Sequence, residues 1–200
     1  MSEERDLSKI GLLDDAIGLI VVISAITAVL ELSFSYAYAL EILSIGLLAI
    51  GIAWVVWSIF VIRTNFYARI FLLITGLNTI IISIVDFLFF SVPPESLIFY
   101  PATAMILIGV SRIVLGVLFS EIPLWIQMLW IMTGILTINL AAFVFIFPNV
   151  DLSAMFIFIV IAFLANGLVR LIVGRTEFKR QLLKPMEESA EDPSATTNNQ

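Results

Sequence analysis

From Ile122 to Val150 the chain runs 29 residues without a charged side chain, and from Ile42 to Ile62 it runs 21. Crossing the hydrocarbon of a bilayer as a helix takes about 20 apolar residues, so either run is long enough to cross. Only 13% of all residues are charged and 61% are hydrophobic, whereas an ordinary soluble domain is about 25% charged. A soluble fold could not cover so much apolar surface, and the solvent for most of this chain is lipid. Its 200 residues hold six such helices with short loops and leave no room for a sizeable soluble domain. The expected class is all-α: a polytopic membrane protein whose helices fall at about 12–32, 38–62, 67–91, 96–119, 124–147 and 152–175. Breaks are expected at Ser33–Tyr36, Arg63–Asn65, Pro93-Pro94-Glu95, Ser120–Pro123 and Pro148-Asn149, where proline suits helix ends.

Within this hydrocarbon a pattern repeats. Thr75-Gly76-x-x-Thr79-Ile80 recurs as Thr133-Gly134-x-x-Thr137-Ile138, and Gly109-x-x-Arg112-Ile113-Val114-x-Gly116 recurs as Gly167-x-x-Arg170-Leu171-Ile172-x-Gly174. Both recurrences stand at one offset, since 133 − 75 and 167 − 109 are each 58. Leucine and isoleucine coincide by chance in such a chain, so the weight lies on the Gly, Thr and Arg matches. Projected backwards, the offset finds a third and more diverged copy, with Gly18 and Gly51 in place, Trp54 for the arginine and Ser58 for the second glycine. The expected organisation is three tandem two-helix hairpins, at about 12–62, 70–120 and 128–178. A tail at 1–11 precedes this membrane domain of 12–178, and a polar tail at 179–200, of disordered composition, follows it. A two-helix unit returns to its starting side, so the copies share one orientation and packing about a threefold axis follows. Inverted repeats of secondary transporters behave differently.

The ten Lys and Arg lie in the tails or in the second and fourth loops with their adjoining helix ends. Positive-inside bias then puts both termini in the cytoplasm and the protein in the plasma or inner membrane. The other side carries Glu31, Glu41, Glu95 and Asp151, with Asp86 just below it. The start, Met1-Ser2-Glu3-Glu4-Arg5-Asp6, lacks the basic beginning of a secretory signal, so the first apolar segment is expected to be retained. The net charge of −6 comes largely from solvated segments, and no basic stripe suits nucleic acid. The partner implied is the lipid bilayer. A homo-oligomer is compatible with the sequence, and no small-molecule substrate can be named from it.

Catalysis fails by inventory. With no histidine and no cysteine, the commonest general base, thiol chemistry and the usual transition-metal ligands are all missing. An intramembrane aspartyl dyad needs two deep aspartates, and only Asp86 qualifies. No phosphate-cradling glycine loop occurs, and the acids outside the membrane have no spacing that specifies calcium. The expectation is a non-enzyme without cofactor or metal.

The candidate proton- or ion-sensitive residues are Asp86 and the stripe Thr75, Thr79 and Ser83. At about 100° per residue these four share one helix face, which Asn78 flanks. Intramembrane carboxylates often mark proton or ion paths. Alternatively Asp86, about a turn and a half below the surface, simply reaches headgroups or water. Depth separates it from Arg112: Asp86 is 17 residues outward of Arg69 and Arg112 is 17 inward of Glu95, each a rise of about 25 Å. Arg112 and Arg170, about two turns from their helix ends, have two readings. The simpler is snorkelling to lipid phosphates. The sharper is an inner polar cluster with Asn166, Asp14 and Asp15, in which the first copy supplies aspartates instead of an arginine. Gly76, Gly134, Gly109, Gly116, Gly167 and Gly174 are expected to serve close helix packing. The tryptophans fit an aromatic belt.

Six helices in three hairpins, with G-x-x-R-[IL]-[VI]-x-G closing even helices and glycines opening odd ones, resemble the HdeD family over about residues 12–178. The resemblance implies a short-repeat membrane protein linked to acid-stress resistance and brings no catalytic residues with it. The expected function is acid or envelope-stress tolerance. The alternative is a small transporter or channel with a polar path along the third helix around Asp86.

Overall fold

A computed structural model describes the backbone of residues 2–60, 66–89, 92–118 and 123–191, and the side chains of 12–59, 66–89, 92–118 and 123–175. The described residues are all helix and connection: α1 (Ser2–Glu31), α2 (Tyr36–Phe60), α3 (Phe66–Leu88), the single turn α4 (Pro94–Leu97), α5 (Phe99–Leu118), α6 (Leu124–Ile146) and α7 (Leu152–Glu191). Six stretches are long and apolar enough to cross a membrane: Leu12–Glu31, Tyr36–Ile59, Phe66–Leu88, Pro94–Leu118, Leu124–Ile146 and Leu152–Arg175. The chain is a multi-pass membrane protein. The expected breaks at 63–65 and 120–122 lie outside the described residues, and the tails expected at 1–11 and 179–200 lie outside the described side chains.

Local chemistry sets several helix boundaries. The Asp151 carboxylate accepts the Ser153 N–H at 3.1 Å, capping the start of α7. Pro123 stands at the N-cap of α6, and Pro148 follows its end. The fourth apolar run opens at Pro93-Pro94, which starts the single turn α4, and the chain passes into α5 through Ile98, whose own backbone is right-handed helical.

The bundle is more polar inside than outside, as a protein solvated by lipid can be. Helix α3 buries Ala68, Leu72, Thr75, Gly76, Thr79, Ser83 and Asp86, while Ile70, Ile74, Leu77, Ile81, Ile84 and Leu88 face outward. With lipid on one side and protein on the other, apolar burial gives no preference between faces. Close packing and hydrogen bonding decide which face turns in.

The most extensive helix pairs are α1 with α7, α2 with α3, and α5 with α6. These are not the sequence hairpins: α2–α3 and α5–α6 join the even helix of one copy to the odd helix of the next, and α7–α1 closes the ring. Each pair crosses glycine on glycine. A Cβ on Gly134 would lie 2.6 Å from the Gly109 carbonyl oxygen, one on Gly76 would lie 2.9 Å from that of Gly51, and one on Gly18 would lie 3.1 Å from that of Gly167. The flanking contacts keep the same offset, since Ile138, Ile80 and Val22 lie against Gly109, Gly51 and Gly167. The crossing is tightest at α5–α6 and loosest at α7–α1, which involves the diverged first copy.

A second set of positions lies about two turns further along the even helices. A Cβ on Gly116 would lie 2.9 Å from the Gln127 carbonyl oxygen, and one on Gly174 would strike the Asp15 side chain. Ser58 holds this position in the first copy. Its Oγ donates to the Arg69 carbonyl at 3.0 Å, and Arg69 is the equivalent of Gln127 at the common offset. The hydroxyl makes a hydrogen bond where the other copies leave room for a close approach.

Candidate functional site

Two buried polar sites occupy opposite ends of the bundle. At the end that carries the start of α1 and the last crossing turns of α7, Arg170 forms an ion pair with Asp14. The Arg170 guanidinium also lies over the Trp54 ring, 4.9 Å from its centroid, a cation–π contact. Arg112 Nη2 donates to the Asn166 backbone carbonyl at 3.0 Å. Asn166 Nδ2 in turn donates to Thr137 Oγ1 at 2.9 Å and to the Ala162 carbonyl at 2.8 Å. Helices α1, α5, α6 and α7 are thus joined through polar side chains.

Both arginines are buried, Arg112 at 3% exposure and Arg170 at 5%, so both are turned into the bundle and away from its outer surface. Asp14, Arg112, Asn166 and Arg170 come together. Asp15 stands apart, half-buried against Gly174, with its Oδ1 lacking a hydrogen-bond partner.

A cavity of about 20 Å³ lies at this cluster, lined by Asp14, Trp54, Trp57, Arg112, Leu115, Trp130, Arg170 and Val173. The lining follows the sequence offset. Trp54, Arg112 and Arg170 are one set of equivalent positions, and Trp57, Leu115 and Val173 are another. Asp14 and Trp130 belong to a third, whose remaining member is the buried Leu72. Residues 58 apart in the chain therefore converge on one point from separate helices, as they would around a threefold axis. Trp57 and Trp130 meet edge to face at 6.3 Å. These tryptophans read in sequence as belt residues. The available signal was positional, since Trp54 takes the place held by arginine in the other two copies.

At the opposite end Asp86 is 7% exposed. Ser44 Oγ lies 2.8 Å from Asp86 Oδ2, and Ser83 Oγ donates to the Ser44 carbonyl at 2.6 Å. Asp86 Oδ1 is buried without a hydrogen-bond partner, and no cation among the described residues pairs with this carboxylate. The rest of the stripe is buried too. Thr75 and Thr79 bond back to the carbonyls one turn earlier, and Ser111 Oγ of α5 lies 2.8 Å from Thr75 Oγ1. The stripe thus lies between α2 and α5 with its hydroxyls engaged, whereas Asn78 is exposed and bonds the Ile74 carbonyl. Ser44 and Ser111 went unnoticed in sequence, because a single serine in an apolar helix looks the same whether it bonds its own backbone or a neighbour's side chain. At the surface of this end, Tyr36 and Ser153 tie α2 to α7 through a 2.6 Å hydrogen bond.

Among the described residues no three His, Cys, Asp or Glu gather at metal-binding distance. What the two sites can do is hold charge and exchange protons or hydrogen bonds. A comparison of the chain with protein-family models, with curated proteins and with solved structures finds no match.

Proposed function

We propose that the chain is a non-catalytic, HdeD-like protein of acid and envelope-stress tolerance, built from three tandem helix hairpins. In this reading it lies in the plasma or inner membrane with both termini in the cytoplasm, an orientation that the confinement of its Lys and Arg supports. The observation that carries the reading is Asp86, a buried carboxylate with a serine on one oxygen and nothing on the other.

Gaining a proton turns this group from an acceptor only into a donor as well. No ion pair has to break. Ser44 and Ser83 are the groups that must rearrange, and through them the α2–α3 contact on the side that faces the acidified medium.

The test is survival of an acid challenge by cells producing the chain. Asp86→Asn, which keeps the shape and abolishes titration, is expected to lose the protection while retaining normal membrane levels. Survival equal to that of the wild type removes Asp86 from the account. Proton flux into proteoliposomes separates this reading from a conduit along α3. The stress-protein reading expects no flux above empty liposomes, and a flux abolished by Asp86→Asn would replace it.

A further inference from the structure

We propose that the cavity at the Arg112–Arg170 cluster binds a small inorganic monoanion of chloride size. The first argument is charge. Two guanidinium groups and one carboxylate line the cavity, and the carboxylate is paired with Arg170. Arg112 donates to the Asn166 carbonyl and shares the field of Asp14 without an ion pair of its own, so the lining carries one surplus positive charge. A buried charge without a counter-charge is costly, and one monoanion would cancel it.

The second argument is hydrogen bonding. Arg112 Nε, Arg170 Nε and Nη2, and the indole Nε1 of Trp54 and Trp57 are all buried without acceptors. All are obligate donors, and all belong to residues lining this one cavity. Buried polar groups are nearly always satisfied. These five orphaned donors outnumber the two orphaned acceptors near the cluster, Asn166 Oδ1 and Asp15 Oδ1, neither of which lines the cavity, and so the set calls for an acceptor. Water could take two of these bonds, but it would leave the charge uncancelled.

Size selects the ligand. About 20 Å³ admits roughly one or two bodies the size of a water molecule. A halide fits this space, which is too small to enclose a phosphate, a sulfate or a lipid headgroup. The bound anion would act as the missing side chain of the cluster, holding the first copy's tryptophans to the arginines of the other two. This inference concerns the end of the bundle away from Asp86 and stands or falls independently of the acid-stress reading.

The cavity tryptophans provide the readout. Purified protein is titrated with bromide against gluconate at constant ionic strength, and the tryptophan emission is followed. Saturable quenching is expected, relieved by added chloride, above a linear background from the exposed Trp125. Arg112→Met is expected to lose the saturable phase, and Arg112→Lys to retain it at a weaker midpoint. Should Arg112→Met fail to fold, saturation and chloride competition in the wild type decide alone. Quenching that stays linear in bromide and is unaffected by chloride overturns the proposal and leaves water as the occupant.

Discussion

Replacing Asp14 by alanine is expected to destabilise the folded bundle by about 3–5 kcal/mol, because removing one partner of a buried ion pair leaves the other charge uncompensated. The effect is asymmetric. Without Asp14, two buried guanidiniums share one cavity with no carboxylate in its lining. Without Arg170, Arg112 remains in that lining as a substitute cation for Asp14. Asp14→Ala should therefore cost more than Arg170→Leu, even though Arg170 also loses its contact with the Trp54 ring. The double substitution Asp14→Ala with Arg170→Leu should recover much of the loss, since removing both partners of a buried ion pair leaves neither charge unpaired. Reversible unfolding in bicelles checks this as a double-mutant cycle. Strictly additive costs would mean that the two side chains do not depend on each other.

The second large effect is expected at the glycine crossings. A methyl group on Gly134 would sit 2.6 Å from the Gly109 carbonyl oxygen and 2.8 Å from Ile113 Cγ1. The first of these neighbours is backbone and cannot turn aside, so α5 and α6 must separate. Overpacking of this kind costs about 1–3 kcal/mol, and Gly134→Leu should cost more. Gly46 is the control. Its Cβ would meet Ser24 and Phe163 side-chain atoms at 3.1–3.3 Å, and those can shift by a few tenths of an ångström. Thermal unfolding of Gly134→Ala and Gly46→Ala side by side should show a clear loss for the first and little for the second. Equal losses would mean that helix propensity and general crowding, rather than the glycine crossing, set the outcome.

Long uncharged runs made the six spans legible, because bilayer thickness fixes a length that few other structures need. That Thr75, Thr79, Ser83 and Asp86 share one face of α3 was legible as well, from their helical spacing, but not whether that face met protein or Asp86 reached headgroups or water. Which helices touch was not legible. A repeat in sequence marks equivalent positions, and Gly109 and Gly134 would read the same whether each met its own hairpin partner or the neighbouring copy. The arginines show a related limit. Two turns from a helix end is a depth that suits both a snorkelling side chain and a buried one. Only the rotation of α5 and α7 about their axes separates the two, and that rotation is set by the glycine faces packed against α6 and α1. The tryptophans gave no signal of their own, since an indole near a helix end suits a headgroup belt and a packed cavity equally well.

The most direct test of the functional account is the protonation of Asp86 itself, followed by infrared difference spectroscopy of the reconstituted protein as the external pH is lowered. The account predicts the carbonyl stretch of a buried carboxylic acid growing in with acidification, absent in Asp86→Asn and altered in frequency in Ser44→Ala, which removes the hydroxyl from Oδ2. A spectrum in which no buried carboxyl changes across the acid range, or in which the band persists in Asp86→Asn, would contradict it.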